Sequence, residues 1–153
     1  MPIAVKLSNT GIAIKLAPQP ATTDLSDVSS GTFVPVLQFG GGTTGITYGT
    51  QIGKFSKIGN KVLVSLTIQL TSKGTSVGAA AIAGLPFVPD ASLFQAGVVQ
   101  INNMTITGSP QCFINSGGTP SILLHQQTNG VDAALTDANF SNTTIVIIQL
   151  EYI

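Results

Sequence analysis

Few residues in this chain have side chains suited to catalysis, and they are scattered along the sequence. The single histidine, His125, could act as a general base for a serine or cysteine nucleophile if the fold brought an aspartate beside it. The acids available for that role are Asp90, Asp132 and Asp137. The single cysteine, Cys112, has no charged neighbour that would favour its thiolate. We therefore predict that His125 is a hydrogen-bonded or surface residue and Cys112 a small buried hydrophobe, and that the protein is not an enzyme.

A pair of carboxylates could instead cleave a glycosidic bond from the two sides of a sugar. Asp132 and Asp137 are the nearest such pair in the body of the chain, but they lie in a turn-like stretch at residues 129–139, where acids are usually solvated. One histidine, one cysteine and scattered aspartates also lack the spacing of zinc or calcium ligands. The sequence therefore predicts no catalytic residues, no metal, no cofactor and no small-molecule substrate.

The elements that must carry these residues are β-strands. Residues 61–71 alternate apolar and polar side chains, which is typical of a strand with one face in a core. No long window shows apolar residues at helical spacing, and each predicted connection contains Gly, Pro, Asn or Asp. The pattern predicts an all-β fold, an antiparallel β-sandwich or jelly roll. Further strands are predicted at residues 33–39, 53–58, 78–82, 95–101, 104–107, 121–126 and 144–152.

The first residues of the chain contain a near-repeat, IAVKL at residues 3–7 and IAIKL at residues 12–16, joined by the polar segment SNTG. This arrangement is typical of a β-hairpin, and its period of two gives it one wholly apolar face. An isolated two-stranded hairpin is marginal in water, so this face needs a surface to cover it. We predict that the hairpin binds a partner through Ile3, Val5, Leu7, Ile12, Ile14 and Leu16.

The sequence divides into an N-terminal β-hairpin arm at residues 1–17, an extended linker at residues 18–31 and a β-sandwich domain at residues 32–153. The linker is rich in Pro, Ser, Thr and Asp, and fully extended it could span roughly 45–50 Å at about 3.3 Å per residue. The arm could pack on its own domain or on a neighbouring chain, and the reach of the linker favours the neighbour.

Composition indicates a protein that works inside an assembly. The chain is 43% hydrophobic and 8% charged, with six lysines, six acids and no arginine. A surface with so few charges is unusual for a protein that stays monomeric in solution. Six lysines without arginine also bind phosphates weakly, so we predict no nucleic-acid partner. The N-terminal residues alternate in polarity and the apolar stretch near residue 85 is broken by prolines, so we also predict neither a signal peptide nor a membrane partner.

The last predicted strand is apolar on both faces in its first half, residues 144–148. A two-layer sandwich buries only one face of each strand, so the outer face of this segment must be covered by something else. This outer face could be covered by a neighbouring subunit, by loops of the same domain or by the N-terminal hairpin.

Five segments of the chain resemble, in order and at plausible spacing, a β-sandwich module that recurs in virion proteins of tailed bacteriophages. The resemblance spans residues 31–88, and residues 89–153 match only in character. The matching segments are GTFVPVL at residues 31–37, FGG at 39–41, TGITY at 44–48, GKFSKIGNKV at 53–62 and AGLPF at 83–87.

The resemblance implies a trimeric virion component made in the host cytoplasm. Because an arm and a linker precede the module in place of a long fibrous stalk, it implies a capsid cement protein on the capsid surface. Its expected partners are the major capsid protein and two sister subunits. The alternative is a tail fibre or tailspike tip that contacts a host glycan or protein through the loops at residues 40–44, 116–119 and 128–132. The lack of tryptophan, a frequent sugar-stacking residue, counts against a glycan site.

Overall fold

The computed structural model describes residues 7–8, 11–12, 27–115 and 120–153, which form twelve β-strands and one 3-10 turn at Asp137–Asn139. Every strand pairing is antiparallel, so the predicted all-β antiparallel fold is confirmed. No helix among the described residues is long and apolar enough to cross a membrane. The strands are β1 (Leu7–Ser8), β2 (Gly11–Ile12), β3 (Val28–Phe33), β4 (Val36–Phe39), β5 (Ile46–Ile58), β6 (Lys61–Lys73), β7 (Ala80–Ala83), β8 (Gln95–Met104), β9 (Ser109–Ile114), β10 (Ile122–Thr128), β11 (Val131–Ala134) and β12 (Phe140–Tyr152).

Strands β3 to β12 form one continuous sheet that curls on itself. The order across the sheet is β3, β5, β6, β12, β8, β9, β10, β7 and β4, with β11 paired to β10 beyond the end of β7. Its two edge strands, β3 and β4, are consecutive in sequence and are separated only by Val34 and Pro35. The sheet must therefore curl until its edges approach each other, and its inner face encloses the core.

Hydrogen bonds across the curl hold the two edges near each other. The amide of Gln51 on β5 donates to the carbonyl oxygen of Pro35 at 3.0 Å. The Tyr48 hydroxyl, also on β5, accepts a hydrogen bond from the backbone N–H of Leu37 on β4 at 3.1 Å. Burial of this hydroxyl raises the pKa of Tyr48. Side chains of β5 thereby satisfy polar groups of β4, which lies at the other end of the strand order.

The long strands β6 and β12 lie side by side at the centre of the sheet and supply much of the core. Residues that face the core alternate with residues that face outward along both strands, and on β6 this is the alternation that the sequence predicts. Burying each aliphatic side chain contributes about 1.5–3 kcal/mol, so these strands hold the domain together. The buried residues of the two strands are Val62, Val64, Leu66, Ile68, Leu70, Phe140, Val146, Ile148, Leu150 and Tyr152.

Two reciprocal pairs of glycine and phenylalanine join β3 to β5. Phe33 lies opposite Gly53, and Phe55 lies opposite Gly31. A Cβ atom at residue 53 would lie 2.5 Å from the ring of Phe33, and one at residue 31 would lie 2.9 Å from the ring of Phe55. Each ring thus covers the bare backbone of the glycine opposite. The GTF and GKF segments of the resemblance supply the glycines and phenylalanines of these two pairs.

The predicted strand at residues 33–39 is wrong as a single element. It is broken at Val34 and Pro35, and its halves belong to opposite edges of the sheet. Proline lacks the N–H that a continuous ladder needs, so the chain changes edges at this point. Residues 28–31, which the sequence places in the linker, pair with β5 as the start of β3.

Three further strands differ from the sequence prediction. The predicted strand at residues 104–107 is wrong beyond Met104, which ends β8. Strand β9 was missed because a proline, Pro110, usually interrupts a strand. It is tolerated here because β8 pairs only with Cys112 to Ile114 of β9, so no ladder hydrogen bond is needed from Pro110 on that side. The short strand β11 was missed because it lies within the stretch interpreted as a turn.

Strands β1 and β2 form an antiparallel pair in which Leu7 lies opposite Ile12 and Ser8 opposite Gly11. The other four predicted contact residues of the arm, Ile3, Val5, Ile14 and Leu16, lie outside the described residues, as does the loop at residues 116–119.

Candidate binding surfaces

The fold brings His125 together with one of the three candidate aspartates. On the hairpin formed by β10 and β11, Nδ1 of His125 lies 2.7 Å from Oδ2 of Asp132. The hairpin turn is Asn129-Gly130, and both residues have positive φ, as a two-residue turn of this kind requires. That dipeptide was the sequence signal for this contact, since a two-residue turn there places Asp132 across from Gln127 and diagonal to His125.

The other two aspartates have separate structural roles. The carboxylate of Asp137 accepts a hydrogen bond from the backbone N–H of Gly78 at 2.9 Å. The carboxylate of Asp90 accepts hydrogen bonds from the hydroxyl and backbone N–H of Ser92, which lower the pKa of Asp90. Asp132 and Asp137 therefore serve different contacts, and each has a structural explanation.

The His125–Asp132 pair belongs to a polar surface with an aromatic member. The ring of Phe113 on β9 meets the imidazole edge-on, with 4.7 Å between ring centres. Gln111 lies opposite His125, Gln127 lies opposite Asp132, and the two amides hydrogen-bond to each other at 3.0 Å. We call these five residues the His125 surface. It offers a carboxylate, an imidazole, two amides and part of a phenyl ring to a ligand from outside.

Cys112 lies on the opposite face of the sheet from His125 and cannot act with it as a catalytic pair. Its side chain is only 1% exposed, within the core, and it lies opposite Leu124; His125 is the next residue along β10 and therefore faces outward. Burial raises the pKa of the Cys112 thiol to about 11. The thiol is therefore protonated at neutral pH and inert, as expected for a small buried hydrophobe.

Alkylation should report this burial directly. We expect iodoacetamide at pH 8 to leave Cys112 unmodified in the folded protein and to modify it fully in denaturant, as measured by intact mass. Between pH 9 and 11 the unfolded chain loses the thiol proton before the folded chain does, so stability should fall as pH rises. The variant Cys112→Ala should lose that part of the pH dependence. Rapid alkylation of the native protein would contradict the buried position.

A second surface is formed by the side of β5, β6, β12 and β8 that faces away from the core, which we call the outer face. It consists mainly of Ser, Thr and Gln side chains, but five large apolar residues interrupt it. Ile147 of β12 is 36% exposed there, so the described part of the chain leaves the outer face of this strand open to solvent. The five apolar residues are Ile52, Ile58, Leu63, Val98 and Ile147.

The outer face contains a groove of about 260 Å³ at the end of the hairpin formed by β5 and β6. We call it the outer groove; its lining residues are Ser56, Ile58, Lys61, Leu63 and Glu151. Ile58 is 61% exposed and Leu63 53% exposed. Nζ of Lys61 lies 2.8 Å from Oε1 of Glu151, and this contact raises the pKa of Lys61. The groove therefore has an apolar floor and one neutralised ion pair at its rim.

Among the described residues, no three His, Cys, Asp or Glu side chains lie close enough together to hold a metal ion. A second, smaller groove of about 230 Å³ lies further along β5 and β6, beside Ile52 and Thr67.

Comparison with known proteins yields a structural likeness and no sequence relative. No protein-family model matches the chain, and no curated protein matches its sequence. Among solved structures, the Dettilon tailspike protein (gp208) has a similar fold, with a TM-score of 0.62 and 20% sequence identity. The likeness covers 82% of this chain and 23% of the tailspike. The chain therefore shares the fold of one part of a tailspike and spans about a quarter of its length.

Proposed function

We propose that this chain is a structural protein of a tailed-phage virion, located in the tail, where it contacts the bacterial surface. The observation that supports this most strongly is the structural likeness to a tailspike protein, which extends over most of the chain. The sequence resemblance to tailed-phage virion modules supports the assignment to a virion, although on its own it favoured the capsid over the tail. The expected capsid cement function is less well supported, because the likeness is to a tail protein.

We place the bacterial contact on the His125 surface. A receptor contact on a phage particle forms in water and with polar ligands. Paired amides and a carboxylate supply directional hydrogen bonds to such ligands, and an aromatic edge adds apolar contact. The turn at Asn129-Gly130 lies at the tip of the same hairpin, within the predicted contact loop at residues 128–132. The other described contact loop, residues 40–44, connects β4 to β5.

Competition for adsorption tests this proposal. Purified protein should slow adsorption of the encoding phage to its host, and the double variant His125→Ala, Asp132→Ala should compete at least about tenfold less well, the equivalent of about 1.4 kcal/mol. The pair is partly exposed, so the variant should keep its fold and thermal stability. A matched control is Thr47→Ala, Thr71→Ala, which removes an exposed side-chain hydrogen bond between β5 and β6, outside both the His125 surface and the outer groove, and should compete normally.

Antibody labelling of intact particles decides the location. Gold-labelled antibodies against this chain should mark tails in electron micrographs. Labelling of heads, together with no competition for adsorption, would overturn the tail proposal in favour of capsid cement. Labelling of tails with equal competition by both double variants would keep the location and overturn the His125 surface as the contact.

A further inference from the structure

We propose that the outer groove binds the N-terminal hairpin arm of a second copy of this chain. In a sheet face made mainly of Ser, Thr and Gln side chains, the groove brings two of the five exposed apolar residues together, Ile58 and Leu63. Exposed apolar residues that cluster in this way are typical of protein contacts. Three exposed apolar residues, Val28, Ile58 and Leu63, lie on the adjacent strands β3, β5 and β6. Val28 pairs with Ile58, and Leu63 pairs with Ser56, two residues before Ile58.

The arm carries the side chains that such a groove accepts. By its period of two, Ile3, Val5 and Leu7 share one face with their repeats at residues 12, 14 and 16, and that face contains no polar residue. Its lysines, Lys6 and Lys15, alternate with these residues and belong to the other face. An apolar hairpin face laid on an apolar groove removes both from water.

The body holds the start of the linker beside the groove. The carbonyl oxygen of Asp27 accepts a hydrogen bond from the N–H of Gly59 at 2.9 Å, and its carboxylate lies 2.6 Å from Nζ of Lys57. The next residue, Val28, pairs with Ile58 of the groove. The linker therefore departs from a fixed point one strand away from the groove.

The length of the linker favours a second copy as the occupant. Adjacent strands are about 4.8 Å apart and residues along a strand about 3.3 Å apart, so Ile58 and Leu63 lie within about 12 Å of Val28. Residues 13–26 could span roughly 46 Å at about 3.3 Å per residue, several times the distance to the chain's own groove. Exchange of arms between copies uses this reach, and a head-to-tail contact of this kind forms a ring when the rotation between copies closes. The trimer implied by the resemblance is such a ring.

Cross-linking between two variants that each add one cysteine tests the proposal in the full-length chain. Val5→Cys and Leu63→Cys are purified separately, mixed and oxidised; Cys112 stays in place because it is buried. A disulfide needs Cα atoms within about 7 Å, so the mixed dimer of one chain of each variant, distinguished from like-with-like dimers by intact mass, forms only if the arm of one chain lies on the groove of another. The control is Val131→Cys in place of Leu63→Cys, an exposed apolar position on β11. We expect the dimer with Leu63→Cys and not with Val131→Cys.

Two other outcomes would overturn the proposal. A cross-link that forms only when Val5→Cys and Leu63→Cys are in the same chain, as a monomer of altered mobility, would place the arm on its own groove. No cross-link in either arrangement would assign the arm to another protein. As an independent measurement, Leu63→Asp should convert the oligomer to monomers by light scattering with an unchanged circular dichroism spectrum. Val131→Asp should leave it assembled, and a wild-type protein that is monomeric throughout would contradict the exchange.

Discussion

Replacing Gly74 with alanine should destabilise the protein by more than about 3 kcal/mol, a loss at the upper end for single substitutions. Gly74 follows β6 with φ +70, and a Cβ there would lie 2.2 Å from the carbonyl oxygen of Thr44. Backbone atoms of Gly45 and Ile46 would also lie within 2.7 Å of it. The obstacle is backbone rather than a movable side chain. The hydrogen bond from Thr75 N–H to Thr44 O at 2.9 Å holds the two segments at this distance.

A second glycine separates the steric part of this effect from the conformational part. Gly59 in the turn between β5 and β6 also has positive φ, +60, but a Cβ there would meet nothing within 4 Å. Gly59→Ala should therefore cost only about 1–2 kcal/mol for the left-handed conformation. Urea unfolding of both variants gives the difference. Equal losses would show that the two segments can move apart, and that the close approach is not a constraint on the fold.

Shortening Ile148 to alanine should cost about 2–5 kcal/mol of unfolding free energy. Its side chain is 0% exposed, at the centre of β12, and lies opposite Leu66 of β6, which is also buried. Removing three carbons there leaves a cavity between the two strands that carry much of the core. Chemical denaturation, monitored by circular dichroism, measures the loss.

The adjacent residue provides the control for this prediction. Ile147 is the same residue type in the same strand but points to the outer face, so Ile147→Ala should cost less than about 1 kcal/mol in the monomer. The pair compares two isoleucines that differ only in the face they occupy. A large loss at residue 147 would show that the outer face is buried in the assembled protein. A small loss at residue 148 would contradict the position of the core.

The alternation of residues 61–71 was enough to predict β6 and its buried face, because a strand's period of two reports directly which side chains avoid water. The last strand was predicted as well, but its first half is apolar on both faces and did not show which face is buried. By contrast, nothing in the local sequence at Val34 and Pro35 indicates that the chain passes there from one edge of the sheet to the other. That passage depends on the curl of the whole sheet.

The candidate surfaces divide in the same way. The contact between His125 and Asp132 follows from a two-residue turn and could have been read from Asn129-Gly130, whereas the contact of His125 with Phe113 needs the pairing of β9 with β10. The outer groove joins Lys61 to Glu151, ninety residues later. By itself the sequence determined strand periodicity, the apolar arm and the scarcity of catalytic groups, which are local properties. Only the tertiary structure decided which strands are neighbours, because strand order is set by packing between residues distant in sequence.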